Sequence, residues 1–107
     1  MQALEYAELR TLAALSVGKA PGPESSILKI VGTELAQKMD EMTVELAGYN
    51  CLPFVPEQFE EGFEGEQMGP GSSAAAALSY FNNRKLSIFG GSNEVQRNII
   101  SKAVLGL

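Results

Sequence analysis

The apolar positions of the chain fall into four helical patterns, interrupted by one long stretch without periodicity. The clearest pattern lies between Pro23 and Gly48. Leu28, Val31, Leu35, Met39, Met42 and Leu46 recur there at spacings of 3, 4, 4, 3 and 4, forming one stripe along about five helical turns. Ile27 and Ile30 widen it. Pro23 suits a first turn, Glu24 is favoured near the positive end of the helix dipole, and Gly48 closes the segment. Such a stripe predicts one or two partner helices in a bundle core rather than a cofactor box. Upstream, Gln2 to Val17 is rich in Ala, Leu and Glu and places Leu4, Ala7, Leu12 and Leu15 on a broad apolar face. Gly18 and the Ala20-Pro21-Gly22-Pro23 run stop that helix. Nothing in the sequence caps its start, so the chain is expected to continue a helix begun upstream, as a fragment of a longer protein.

A third helix is predicted from a Ser72 or Ser73 cap to Asn83, with Ala74, Ala77, Leu78 and Phe81 on one side and Arg84-Lys85 at its C-terminal end, where cations suit the dipole. A short apolar piece, Leu86 to Phe89, leads into Gly90-Gly91-Ser92. A fourth helix follows from about Asn93 to Val104. It carries two stripes, Val95/Ile99/Ala103 and Ile100/Val104/Leu107, which predict burial on two sides or contact with a second chain. The aperiodic stretch, Asn50 to Ser73, holds Pro53, Pro56 and Pro70, four glycines, and the acids Glu57, Glu60, Glu61, Glu64 and Glu66. It predicts a mobile, solvated loop, pinned in places by Phe54, Phe59 and Phe63; the alternative is an acidic recognition patch. The expected fold is all-α, an antiparallel bundle of three to four helices with a long irregular acidic loop over about residues 50–73.

Composition narrows the chemistry. The 107 residues are 45% hydrophobic, enough for a core, and at this size only roughly two-thirds of the unfolded surface is buried. Thirteen acids oppose eight bases, a net charge of −5, and the five loop glutamates equal that whole excess. A nucleic-acid partner needs a basic face, and a membrane partner needs a basic amphipathic or long apolar segment; neither is present. The charged N-terminus does not resemble an export signal, so a cytoplasmic location is expected. His is absent and Cys51 is alone, which removes the commonest general base, Ser-His and Cys-His nucleophiles, disulfides and a cysteine metal cluster. No metal is expected.

One segment looks functional: Gly90-Gly91-Ser92-Asn93-Glu94. Two glycines let the backbone reach φ > 0 and approach a bulky ligand, and the following helix start offers free N–H groups and its dipole to an anion. Ser92 can cap the helix or donate to a ligand. On these residues alone, a Gly-Gly turn with a Ser cap is also ordinary helix punctuation.

The string Leu86-Ser-Ile-Phe-Gly-Gly-Ser-Asn-Glu-Val-Gln-Arg-Asn-Ile-Ile100 resembles the C-terminal signature of the acyl-CoA dehydrogenases, flavoproteins of fatty-acid metabolism that oxidise the Cα–Cβ bond of acyl-CoA thioesters. Glu45-Leu-Ala-Gly-Tyr-Asn50 falls where that family has a Gln-x-x-Gly-Gly segment, and the Ala20-Pro21-Gly22-Pro23 turn is similar to bacterial members. The resemblance implies that residues 1–107 are part of a C-terminal helical bundle domain whose opening half is missing, without the family's N-terminal helical and middle β domains. It implies FAD as cofactor, acyl-CoA as substrate, an electron-transfer acceptor, and a homo-oligomer or a paralogous partner subunit. Gly91 is implied as a substrate-side backbone contact, and Ser92, Asn93 and Glu94 as FAD contacts. Glu45, Gly48 and Tyr49 match the segment that meets the FAD of a neighbouring subunit. Glu45 replaces its amide and Tyr49 its second glycine; a carboxylate repels a nearby pyrophosphate, and the ring fills space that glycine leaves open. Gln96 and Arg97 are expected to serve packing and inter-helix pairing.

Many members carry the catalytic Glu immediately before the substrate-facing glycine. Here that position is Gly90, which cannot take a proton, so no catalytic residue is assigned. The base is then expected from an earlier helix, from a partner chain, or not at all in a silent parent. The implied function is that of part of a flavin-dependent oxidoreductase, closing the FAD site and packing the oligomer, with the fragment inactive by itself. A reading from another class also fits the apolar stripes: a helical module that only mediates protein–protein contacts.

Overall fold

The computed structural model describes residues 2–20, 22–71 and 73–106 of the chain. The Pro21 stop, the Ser72 cap and the Leu107 end of the last stripe lie outside them. The fold is all-helical: α1 (Gln2–Ser16), α2 (Glu24–Ala47), α3 (Ser73–Asn83) and α4 (Asn93–Leu105), with short 3-10 turns at Gly48–Cys51, Pro56–Phe59 and Arg84–Ser87 and no strand among the described residues. Each helix lies within a residue or two of where the periodicity predicts it. The chain divides into two compact units, Met1–Leu35 with Lys85–Leu107, and Ala36–Arg84, so α2 runs through both.

In the first unit, α1 turns Leu4, Ala7, Thr11 and Ala14 inward, at helical spacings of 3, 4 and 3, while Leu12 and Leu15 are exposed. The broad apolar face expected of α1 is therefore split: Leu4 and Ala7 are half-buried, whereas Leu12 and Leu15 are exposed. α2 begins as the sequence indicates, with the Pro23 carbonyl accepting from the N–H groups of Ser26 and Ile27 at 3.1 and 3.2 Å. α4 is capped at both ends. Ser92 is extended at φ −62°, ψ 156° and its side chain accepts from the Val95 N–H; Gly106, at φ 70°, donates to the Lys102 carbonyl at 3.2 Å.

The long stripe of α2 is not core in this chain. Ile27, Val31, Met39 and Met42 are exposed and Leu46 is 87% exposed, while Leu28, Ile30 and Leu35 are half-buried. α2 makes its ties within the chain through polar side chains instead. In the first unit these include Lys29, Thr33 and Glu34. In the second they are Gln37 and Asp40: Gln37 Nε2 donates to the carbonyls of Asn83 (3.2 Å) and Arg84 (3.0 Å), and Asp40 accepts from Asn83 Nδ2 at 2.9 Å. Helix-final carbonyls lack intrahelical donors, and Gln37 supplies one from outside. Gln37→Ala is accordingly expected to cost about 1 kcal/mol, a fall in Tm of roughly 4–8 °C in a thermal melt followed by circular dichroism.

In the second unit, residues 50–73 are exposed over most of their length but anchored near their start. The turn Gly48–Cys51 packs on α3, and the buried residues of these two elements are Cys51 (2% exposed), Ser73 and Ala76, all small. Cys51 Sγ donates to the Gly48 carbonyl at 3.1 Å. The loop then folds back on itself: a Cβ at Gly69, which sits at φ +75°, would lie 2.7 Å from Asn50 Cβ. The pin is thus Cys51, with Phe63 half-buried, whereas Phe54 and Phe59 are exposed. The five loop glutamates are all exposed.

Candidate functional site

The Gly90-Gly91 turn joins the Arg84–Ser87 turn to α4 and lies on the surface of the first unit, with both glycines exposed. Both take left-handed backbone, φ +71° at Gly90 and +86° at Gly91. Their surroundings differ. A Cβ at Gly90 would meet nothing within 4 Å, whereas one at Gly91 would lie 2.6 Å from Gln96 Nε2. That amide reaches back from α4 and donates to the Gly90 carbonyl at 3.4 Å. The turn is therefore an open, side-chain-free stretch of backbone, held from one side by Gln96.

Beneath it, Asn93 opens α4 with its side chain buried, 5% exposed. Asn93 Oδ1 accepts from Lys29 Nζ at 2.7 Å, and Asn93 Nδ2 donates to the Thr33 hydroxyl at 3.2 Å; Thr33 in turn donates to the Ile30 carbonyl. Lys29 Nζ also donates to the Leu86 carbonyl at 3.3 Å. Of the expected cofactor contacts, Asn93 thus directs its side chain inward, while Ser92 is half-buried and Glu94 exposed.

The positive end of α4 already serves an internal anion. The Glu94 carboxyl is held below the usual carboxylate range first by its own backbone N–H, then by the Ser92 hydroxyl, with Arg97 and Lys29 adding weaker attraction. Arg97 bridges α2 and α4, 3.0 Å from Glu34 and 3.8 Å from Glu94, which is the inter-helix pairing expected of it. What the segment offers to a ligand is chiefly the bare backbone of Gly90 and Gly91.

The other expected contacts belong to the second unit. Glu45 is exposed on the last turn of α2; Gly48, at φ +56° with open space around its Cβ position, begins the 3-10 turn; Tyr49 is 89% exposed. The exposure of Glu45 and Tyr49 leaves both surfaces open to a further molecule. Among the described residues there is no group of three or more His, Cys, Asp or Glu that could hold a metal, and no helix long and apolar enough to cross a membrane.

Lys29 and Thr33 are the residues sequence reasoning passed over. Their signal is weak but real: polar groups at positions 29, 33, 37 and 40 repeat at spacings of 4, 4 and 3, a second stripe along the same helix as the apolar one.

Comparison with protein-family models gives a match to the acyl-CoA dehydrogenase C-terminal domain over residues 1–105. No curated protein and no solved structure gives a significant match.

Proposed function

The chain belongs to the family of acyl-CoA dehydrogenase C-terminal domains, and from that premise we propose that it closes the flavin site and packs the oligomer of a longer enzyme that oxidises acyl-CoA thioesters. The observation that carries the reading is the exposed Gly90-Gly91 turn at the head of α4, inside a match that covers residues 1–105. The residues present fit FAD and a thioester there: Gly90 has nothing within 4 Å of its Cβ position, so neither ligand meets a side chain at that point of the turn.

FAD, when bound, supplies the acceptor for the hydride leaving the substrate β-carbon. The chain's own residues do the rest. Gly91 presents backbone to the thioester. Ser92 holds the first turn of α4 through Val95, Ser92 and Glu94 carry the flavin-facing edge, and Asn93 supports it with its side chain turned inward. Glu45, Gly48 and Tyr49 form the surface offered to the flavin of a neighbouring subunit. The exposed stripe of Ile27, Val31, Met39, Met42 and Leu46 supplies the apolar area an oligomer covers. Gly90 has no side chain to take the α-proton, so the base comes from another helix of the full enzyme or from a paralogous partner subunit. That feature favours a second reading, a catalytically silent subunit of a heteromeric dehydrogenase.

The test is the intact protein containing this domain. It is expected to purify yellow and to reduce an artificial electron acceptor when given an acyl-CoA. A folded, colourless protein that takes up no FAD overturns the flavin reading. Flavin without turnover, restored by a co-purifying similar chain, selects the silent subunit.

A further inference from the structure

The Gly90-Gly91 turn lacks packing of its own. Ile88 and Phe89 before it are exposed, the glycines have no side chains, and its tie to Gln96 is long at 3.4 Å. Backbone bonds from Ile88 and Phe89 to the Lys85 carbonyl hold its approach, and one ammonium group reaches both of its flanks. Lys29 Nζ holds the carbonyl of Leu86, in the Arg84–Ser87 turn, and Oδ1 of Asn93, the first residue of α4. These two residues are the ends of the segment that contains both glycines. Thr33, one turn along α2, fixes the other edge of the Asn93 amide.

Helix stability does not explain this arrangement. A cation beside the N-terminus of a helix sits at the wrong end of the dipole, where an acid would be favoured. Nor is the lysine a surface group by accident: it is half-buried and bonded to residues 57 and 64 positions away. An ammonium with three donors on a flexible stem can serve two divergent acceptors at once.

We propose that Lys29 is a positioning residue for the ligand-facing turn, its ammonium setting the separation of Leu86 from Asn93 and so the placement of the Gly90-Gly91 backbone. The proposal rests on the flavin reading above for the identity of the ligand, but the clamp itself is testable without it.

Lys29→Met, Lys29→Arg and Thr33→Val are compared with wild type in the intact protein. Lys38→Met, which removes an exposed lysine paired with Glu41, is the control. Two measurements are made: amide hydrogen exchange at Val95 and Gln96 without flavin, and the affinity for acyl-CoA read from the change in the flavin spectrum. Lys29→Met is expected to speed exchange of both amides about tenfold relative to the C-terminal half of α4, and to weaken acyl-CoA binding about tenfold. Lys29→Arg is expected to recover part of both losses, and Thr33→Val to shift both in the same direction by less. Unchanged exchange in Lys29→Met overturns the clamp, whatever the flavin content. Accelerated exchange with unaltered acyl-CoA affinity and flavin spectrum overturns the positioning role. Should Lys29→Met fail to fold, Thr33→Val decides alone, and no shift in either measurement overturns the proposal. A wild-type protein that holds no flavin defeats the flavin reading but leaves the exchange comparison intact.

Discussion

Gly91→Ala is expected to lower Tm by roughly 5–15 °C and, in the protein that remains folded, to reduce flavin content or acyl-CoA turnover at least about tenfold. Two physical effects combine. At φ +86° an L-residue with a Cβ carries left-handed backbone strain of about 1–2 kcal/mol, each kcal/mol being worth roughly 4–8 °C in a domain of this size. The new methyl would also sit 2.6 Å from Gln96 Nε2, so that side chain must leave the Gly90 carbonyl. Gly90→Ala is the comparison. It meets the same kind of strain at φ +71° but has nothing within 4 Å, so its loss of stability should be smaller and should leave Gln96 in place. Thermal melts give the stability difference, and the flavin-to-protein absorbance ratio gives the ligand effect. If both variants melt alike and both keep full flavin and turnover, the turn is helix punctuation and the chain acts as a protein–protein contact module.

The helices were legible because a 3.6-residue period is a local property. The Ser92 cap, the Pro23 start and the Gly48 stop all depend on neighbours a few residues away, and each stands where the sequence puts it. Which face of a helix meets the chain is not local. Leu28 to Leu46 declare a stripe, yet periodicity is silent on what covers it, and here polar Lys29, Thr33, Gln37 and Asp40 make the intrachain ties while Met39, Met42 and Leu46 face out. A small chain offers too few partner surfaces to bury both faces of a helix this long. In the sequence Cys51 served only to exclude disulfides, a Cys-His nucleophile and a cysteine metal cluster; its packing role depends on α3, which presents small residues to the thiol.

The candidate site divides in the same way. Two adjacent glycines before a Ser cap are visible in the string itself. The lysine beneath them is 64 positions from the asparagine it holds, a separation no sequence window reaches. The inward turn of Asn93 follows from that contact and from nothing in the signature around it.

Asn93 therefore carries the other large effect. Asn93→Leu is expected to destabilise the protein by about 2–3 kcal/mol, a fall in Tm of roughly 10–20 °C, because it removes the acceptor of a half-buried ammonium and leaves that charge with the Leu86 carbonyl. Heavy-atom count and branching are conserved, but the two methyls are bulkier than the amide, so some overpacking adds to the cost of the under-satisfied charge. Asn93→Asp separates this cause from simple intolerance of substitution. A carboxylate keeps the acceptor for Lys29, strengthens the bond by charge, and suits the first turn of α4; the Thr33 hydroxyl can rotate to donate to it in place of the Ile30 carbonyl. Burial of the new charge offsets these gains, and the variant is expected within about 1 kcal/mol of wild type at neutral pH. Denaturant titration of the three proteins supplies the comparison. Leucine and aspartate variants of equal stability would mean that the Lys29 ammonium escapes to solvent once released, and that the tie across the turn has no energetic role.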